Sequence, residues 1–291
     1  MRIIVLGASG LMGHQLWRYL SEKSDSVYAT LLRKKRAYPF TRLFECDRVI
    51  ENVDACDFER LKRVLETISP DIVINCIGVT KRKEPVGNAI PSLTLNALLP
   101  HVLKDWSMQR NARVINFSTD CVFDGAVGNY SEDSPPTAID LYGRTKSLGE
   151  IGTPCGLTLR SSFIGTELVD KTELLEWFLA QDKRVNGFTR AIYSGLTTLE
   201  LCRVVAMLID KYPQATGIYH VSSEPISKHE LLSRIRAGLG LDVEIIPDDR
   251  FSCNRSLNSD RFRSEFKYQP PDWADMIDEL CRFIKRRKND L

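Results

Sequence analysis

Short apolar, β-branched runs alternate with segments of helical period along the first 160 residues or so of this chain. Residues Ile3 to Leu6, Val27 to Leu32, Ile72 to Ile77, Val114 to Phe117 and Leu157 to Leu159 predict strands. Leu11 to Leu20, Phe58 to Ile68, Leu93 to Met108 and Leu141 to Glu150 predict the helices between them. Strands that are apolar on both faces need cover on both sides, so the pattern predicts an α/β fold: a Rossmann-type doubly wound parallel sheet with ligands at the carboxyl ends of its strands.

After about Ile164 the rhythm changes. A helix is predicted near Glu173 to Leu179, then a loop carrying Asn186 and Gly187, a helix from Leu199 to Asp210 and a strand from Ile218 to Val221. A helix near Lys228 to Leu239, a polar segment from Pro247 to Asn258 and a closing helix from Trp273 to Arg286 follow. The expected division is a dinucleotide-binding domain over 1–163, completed by about 190–222, and a smaller C-terminal substrate-binding lobe from 164–189 and 223–291 that closes a cleft. The basic end Lys285, Arg286, Arg287 and Lys288 reads as a solvated helix terminus that complements the helix dipole.

Composition narrows the class. The 291 residues are 43% hydrophobic and 27% charged, with 40 Lys and Arg against 38 Asp and Glu and a formal charge of +2. Such a balance gives no general attraction to nucleic acid or to a membrane surface, so any anion site must be local. The first apolar run is too short for a signal peptide, and no stretch approaches a membrane span. Eight dispersed cysteines, with no CxxC pair and no Cys/His cluster at zinc spacing, predict reduced thiols, a cytoplasmic setting and no metal site. The four histidines are equally scattered and read as surface or core residues.

Gly7, Gly10 and Gly13 fall between the first strand and the first helix, in GASGLMG. Glycines at this spacing let a backbone approach a pyrophosphate closely and present N–H groups to it at a helix start, so Ser9, Gly10, Leu11 and Met12 are expected around a dinucleotide. The second strand runs into Arg33, Lys34, Lys35 and Arg36 with no acid to bond the ribose hydroxyls. That favours NADPH, with NADH the alternative and Arg33 the candidate for the 2′-phosphate. Asp54 and Ala55 precede the second helix, where Asp54 is a candidate for the adenine amino group; Asp54 or Asp57 serves equally well as a helix cap. Cys76, Ile77 and Gly78 end the next strand, with small residues that allow the cofactor ribose to lie close.

Tyr142 and Lys146, in YGRTK, lie four residues apart on one helix face. Delivering hydride to a ketone generates an alkoxide that needs a proton. A phenol can supply it at neutral pH where a lysine ammonium and a nicotinamide cation lower its pKa. Ser118 and Thr119 end the preceding strand and place a hydroxyl beside the substrate carbonyl, and Asn96 is positioned to order a water near the lysine. The sugar pocket is expected from Val122, Phe123, Ser162, Phe163, Arg190, Thr197 and Arg255, the arginines suiting a diphosphate.

These segments carry a family resemblance. GASGLMG, STDCVFDG, LYGRTKSLGE, LRSSFIG and RSLNSDRF together resemble extended short-chain dehydrogenases of the dTDP-4-dehydrorhamnose reductase type, whose motifs run close to STDYVFDG, YGKTKxxGE, LRTSWVYG and RPxNSxL. The resemblance implies that Thr119, Tyr142 and Lys146 are the catalytic triad of a reductase acting on a nucleotide-activated sugar. Cys121, Phe163 and Ser256 depart from the tyrosine, tryptophan and proline of those motifs. A sugar-nucleotide dehydratase would carry a TDE pattern where Cys121 stands. An epimerase of the same fold, and a non-catalytic NADP-binding regulatory subunit, remain as alternatives, and a homodimer is left open.

Overall fold

The computed structural model describes residues 1–39, 41–82 and 88–289. In chain order its strands are β1 (Ile3–Leu6), β2 (Val27–Thr30), β3 (Val49–Ile50), β4 (Ile72–Asn75), β5 (Arg113–Ser118), β6 (Gly156–Arg160), β7 (Phe163–Ile164), β8 (Arg184–Tyr193), β9 (Leu196–Thr197), β10 (Gly217–His220), β11 (Ile226–Ser227) and β12 (Glu244–Asn254). Its α-helices are α1 (Gly13–Ser21), α2 (Phe58–Ile68), α3 (Ile90–Ser92), α4 (Leu99–Met108), α5 (Leu141–Leu148), α6 (Leu174–Leu179), α7 (Thr198–Lys211), α8 (Lys228–Leu239), α9 (Asp260–Phe266) and α10 (Trp273–Asn289).

Seven strands form one parallel sheet in the order β10-β6-β5-β4-β1-β2-β3, the Rossmann-type arrangement expected from the pattern. The chain steps outward from β1 through β2 to β3, then returns to the other side of β1 with β4. That reversal opens a crevice at the carboxyl ends of β1 and β4, where ligands bind in sheets of this kind. The strands are apolar on both faces because both are covered: Val5, Ile74 and Leu159 pack under α1 and α7, and Ile4, Val73 and Val114 pack under α2 and α4.

Two expectations in the C-terminal part fail. Asn186 and Gly187 lie inside β8, not in a loop, and most of the polar segment from Pro247 belongs to β12, which pairs with β8 in parallel and is interrupted by a register shift between Asp248 and Ser252. Their outer faces are solvated, so Asn, Asp, Arg and Pro stand where a buried strand would carry Val or Ile. Gly187 is a packing residue: a Cβ there would come within 2.7 Å of the His229 ring on α8 and 2.6 Å of Ile245. The division placed between 189 and 190 falls within β8.

The basic terminus is only partly solvated. Lys285 and Arg286 are exposed, but Arg287 turns inward, donating to the Glu167 carbonyl at 2.8 Å and pairing with Glu176 at 3.4 Å. The Lys288 side chain lies outside the described residues. No helix among the described residues is long and apolar enough to cross a membrane. The eight cysteines are all unpaired.

Candidate active site

The turn between β1 and α1 is shaped by two of its glycines. Gly7 has φ of +75°, and a Cβ on it would come within 2.7 Å of Ile77; a Cβ on Gly13 would come within 2.1 Å of the Gly7 carbonyl. Any side chain would push β1, β4 and α1 apart. Helix α1 begins with no side-chain cap and no acid in its first turn, so the positive end of the helix dipole is left to something outside the chain. Ser9 and Leu11 are half-buried on this turn, and Gly10, Leu11 and Met12 line the adjoining cavity. His14, one residue into the helix, bonds the Gly10 carbonyl through Nδ1 and is held neutral, its pKa lowered to about 4 by burial.

At the end of β2, Arg33 is exposed and donates its backbone N–H to the Tyr38 hydroxyl at 3.0 Å, leaving the guanidinium without an ion pair among the described residues. The run beyond it is less uniform than the sequence suggested: Lys35 Nζ donates to the Cys46 carbonyl at 2.7 Å, and Glu51, arriving from β3, accepts from the Lys35 N–H. An acid is therefore nearby, already engaged by that backbone donor. Asp54 is exposed and accepts from Cys56 N at 2.9 Å, Ala55 is buried, and it is Asp57 that caps α2 by accepting from Arg60 N at 2.9 Å. The bare helix start, the close glycines and, among the described residues, an acid at the end of β2 that already accepts from the chain fit a dinucleotide that carries a 2′-phosphate.

A cavity of about 510 Å³ runs from Gly10 to Arg255 beneath these elements. Cys76, Ile77, Gly78, Asn96, Thr119, Tyr142, Lys146, Ser162, Phe163 and Arg255 of the expected residues all line it. Helix α5 carries Tyr142 and Lys146 into the cavity. It is capped by Asp140, which accepts from Gly143 N at 2.8 Å, and is pressed so closely to the turn after β5 that a Cβ on Gly143 would come within 2.2 Å of the Cys121 carbonyl. Burial, with the neighbouring Cys121, raises the Tyr142 phenol, and a hydrogen bond with Thr119 opposes the rise. Lys146 Nζ donates to the Phe117 carbonyl at 2.5 Å, and burial lowers its pKa to about 8. The lowered phenol expected beside the lysine is thus absent from the chain alone, because desolvation outweighs the other contributions.

Asn96 is held largely by the chain itself. It sits in a π-helical segment, Leu93–Leu98, between α3 and α4, and both amide donors are used: Nδ2 donates to Val79 O at 2.9 Å and Thr145 Oγ1 at 3.2 Å, while Oδ1 accepts from Val79 N at 2.8 Å. It fastens the strand end to α5, and only its Oδ1 acceptor has capacity left for a water. Ser118 is likewise committed, donating to Glu150 at 2.6 Å. Glu150 forms a two-pronged pair with Arg160, both bonds 2.7 Å and both side chains 5% exposed, and Arg160 reaches the buried His220 at 3.1 Å.

Four of the expected sugar-pocket residues do not reach the cavity. Val122 and Phe123 are fully buried and form a small core with Tyr130 and Leu257, Phe123 stacking on Tyr130 at 4.2 Å. Consecutive residues of the tight turn after Thr119 face different ways, so Asp120 and Cys121 line the cavity in their place. Thr197 is buried and caps α7, accepting from Glu200 N at 3.3 Å, and Arg190 is exposed on β8. Arg255 does reach in, its Nε donating to the Phe123 carbonyl at 2.9 Å and Nη1 contacting Cys121 Sγ at 3.4 Å.

Sequence reasoning missed Asp120, Tyr193 and Lys228, which also line the cavity. Asp120 is buried, which raises its pKa against the pull of Arg255; Tyr193 is buried with a hydroxyl that has no partner among the described residues. An unpaired buried phenol beside a polar cavity is costly unless a ligand hydroxyl satisfies it. Tyr193 ends a mixed-polarity strand and Lys228 opens a helix, and neither position stands out in the sequence.

A seven-stranded parallel sheet, a glycine turn and a Tyr142–Lys146 helix beside a strand-end threonine define an extended short-chain dehydrogenase/reductase. Among curated proteins, a Haloferax volcanii protein named "Probable low-salt glycan biosynthesis reductase" is 28% identical over 84% of this chain and 83% of its own length. A solved structure described as a hypothetical dTDP-4-dehydrorhamnose reductase from Sulfolobus tokodaii superposes with a TM-score of 0.74 at 26% identity, covering 91% of this chain and 94% of the other. The dTDP-4-dehydrorhamnose reductase of Bacillus anthracis, solved in complex with NADP, shares the fold with a TM-score of 0.78 at 21% identity over 98% and 99% of the two chains. The sequence profile described as the RmlD substrate binding domain matches residues 1–155, and the chain belongs to that family.

Proposed function

We propose that this protein is an NADPH-dependent reductase of the keto group, at C4, of a nucleotide-activated deoxysugar such as a dTDP-4-dehydrorhamnose-like substrate. The observation that carries the reading is the convergence of Thr119, Tyr142 and Lys146 in one cavity, below a glycine turn whose helix start the protein leaves uncapped. Gly7, Gly10, Leu11 and Met12 would hold the pyrophosphate, Arg33 the 2′-phosphate, Asp54 the adenine, and Cys76 to Gly78 the nicotinamide ribose. Such a cofactor supplies hydride.

The remaining chemistry belongs to the chain. Thr119 holds the substrate carbonyl oxygen against the Tyr142 hydroxyl, and the phenol proton moves to that oxygen as it becomes an alkoxide. Lys146 stabilises the phenolate left behind and would hold the ribose hydroxyls of the cofactor. Ser162, Phe163, Tyr193, Lys228 and Arg255 offer an apolar plate, an unpaired hydroxyl and two cations to a glycosyl diphosphate. Cleft closure by the C-terminal elements, with β8 kept whole, would exclude water from the reaction, and the unpaired thiols are consistent with a reducing, cytoplasmic setting.

The test is purified protein mixed with NADPH or NADH and a panel of 4-keto sugar nucleotides, followed by loss of reduced-nicotinamide absorbance. Turnover with one panel member, faster with NADPH, is the expected result. Tight NADPH binding with no oxidation by any member would overturn the reading in favour of a binding subunit.

A further inference from the structure

A second cavity, of about 310 Å³, lies outside the active site between α1, α7 and α10. Its wall carries Gln15, Arg18, Arg203, Arg282, Phe283 and Arg286. Two of the four guanidiniums are neutralised within the fold. Arg203 is paired with Glu279 and, at 2.8 Å, with Glu200, and Arg282 with Asp278 at 3.1 Å. The other two are not. Arg18 is half-buried, stacked over the Phe283 ring at 4.4 Å, and has no carboxylate within ion-pair distance among the described residues; Arg286 is exposed on the rim and equally unpaired. A cation held partly out of water without a direct ion pair is destabilising, and burial lowers the Arg18 pKa, an effect that the nearby Glu22 charge offsets only in part.

A separate observation points the same way. Gln15 is 1% exposed, and its Nε2 donates to Thr166 Oγ1 at 3.3 Å, which orients the amide; its Oε1 then has no hydrogen-bond partner among the described residues. The cavity wall thus offers two unpaired guanidinium forks and an aromatic plate, and one of its residues, Gln15, carries a buried acceptor that is unsatisfied among the described residues. The forks match a phosphate, the acceptor matches a hydroxyl, and the volume is at the small end of ligand pockets.

We propose that this cavity is a second, non-catalytic binding site for a sugar phosphate, its phosphate held by Arg18 and Arg286 and a sugar hydroxyl donated to Gln15. Gln15 lies three residues beyond Met12, and its partner Thr166 precedes Glu167, both of which line the active cavity. The two sites are therefore linked through α1 and the Gln15–Thr166 hydrogen bond and have no lining residue in common.

Calorimetric titration of the full chain with glucose 1-phosphate and, separately, with inorganic phosphate tests this, NADP being present throughout to fill the cofactor groove. The expected result is one site that binds the sugar phosphate more tightly than phosphate. Arg286→Gln, a surface change that leaves the fold intact, weakens both ligands by about tenfold or more, the loss of one charge-assisted contact. Gln15→Met removes the preference for the sugar phosphate while phosphate affinity stays, and Arg255→Gln, in the active cavity, changes neither. Absence of binding, binding indifferent to Arg286→Gln, or binding abolished by Arg255→Gln would overturn the proposal. A preference that survives Gln15→Met would overturn the hydroxyl contact.

Discussion

From Ser118, which lines the active cavity, a chain of hydrogen bonds runs back into the fold through Glu150 and Arg160 to His220, and Asn75, also on the cavity wall, donates to Asn116 at 2.9 Å. On the facing wall, Arg255, Lys228 and Phe251 are half-buried or exposed, and Tyr193 keeps an unpaired hydroxyl. The groups of the first wall are committed to one another before a ligand arrives, so their geometry is fixed by the fold. The second wall holds groups whose bonds are incomplete without a ligand. For the proposed reaction, which must place a proton donor accurately and still accept a particular sugar, this would divide the duties: rigid support near Tyr142 and Lys146, adaptable recognition elsewhere in the cavity.

Substitutions separate the two walls, and the largest effect is expected at the proton donor. Tyr142→Phe keeps the ring and its packing and removes the proton, so turnover should fall by about 10²–10⁴-fold while NADPH affinity measured by fluorescence titration stays near its starting value. Unchanged turnover would remove Tyr142 from the mechanism.

Arg160→Met tests the support itself. It strands Glu150 as an uncompensated buried charge, and a loss of about 3–5 kcal/mol in urea unfolding is expected. A loss below about 1 kcal/mol would mean that the pair behaves as a surface ion pair.

On the recognition wall, Arg255→Gln should raise KM for the sugar nucleotide by about tenfold or more with kcat little changed, since it removes a charge-assisted contact and not the chemistry. A fall in kcat at constant KM would place Arg255 with the catalytic residues.

The smallest effect is the pH response. Burial lowers the Lys146 pKa to about 8, so the ammonium that supports the phenolate is present below that pH and lost above it. The profile of kcat/KM should therefore bend downward above about pH 8, and a flat profile up to pH 10 would show that the charge of Lys146 is not required.

Much of the sheet wall was legible in the sequence because its strands are buried on both faces and its motifs follow one another in chain order. The glycine turn, Thr119, Tyr142 and Lys146 were found on those grounds. What escaped has specific physical causes. Val122 and Phe123 were assigned to the pocket because they adjoin Thr119, but the tight turn at Asp120–Val122 sends their side chains to the small core around Tyr130. Strands β8 and β12 expose one face to solvent, so their Asn, Asp and Gly residues read as loops, and Tyr193 at the end of β8 stayed hidden with them. Asn96 and Ser118 were read as free groups, and only their partners on Val79, Thr145 and Glu150, distant in sequence, show that they are already bonded.

The central claim, hydride delivery to a sugar ketone with Tyr142 as proton donor, is tested most directly by label transfer. Protein is given NADPH deuterated at the transferable position of the nicotinamide together with the 4-keto sugar nucleotide that it turns over, and the product is read by mass spectrometry and NMR. The account predicts one deuterium per turnover on the former carbonyl carbon and loss of that label-transfer rate in Tyr142→Phe. Deuterium that stays on the cofactor while the sugar is altered, or a product that carries none, would contradict it.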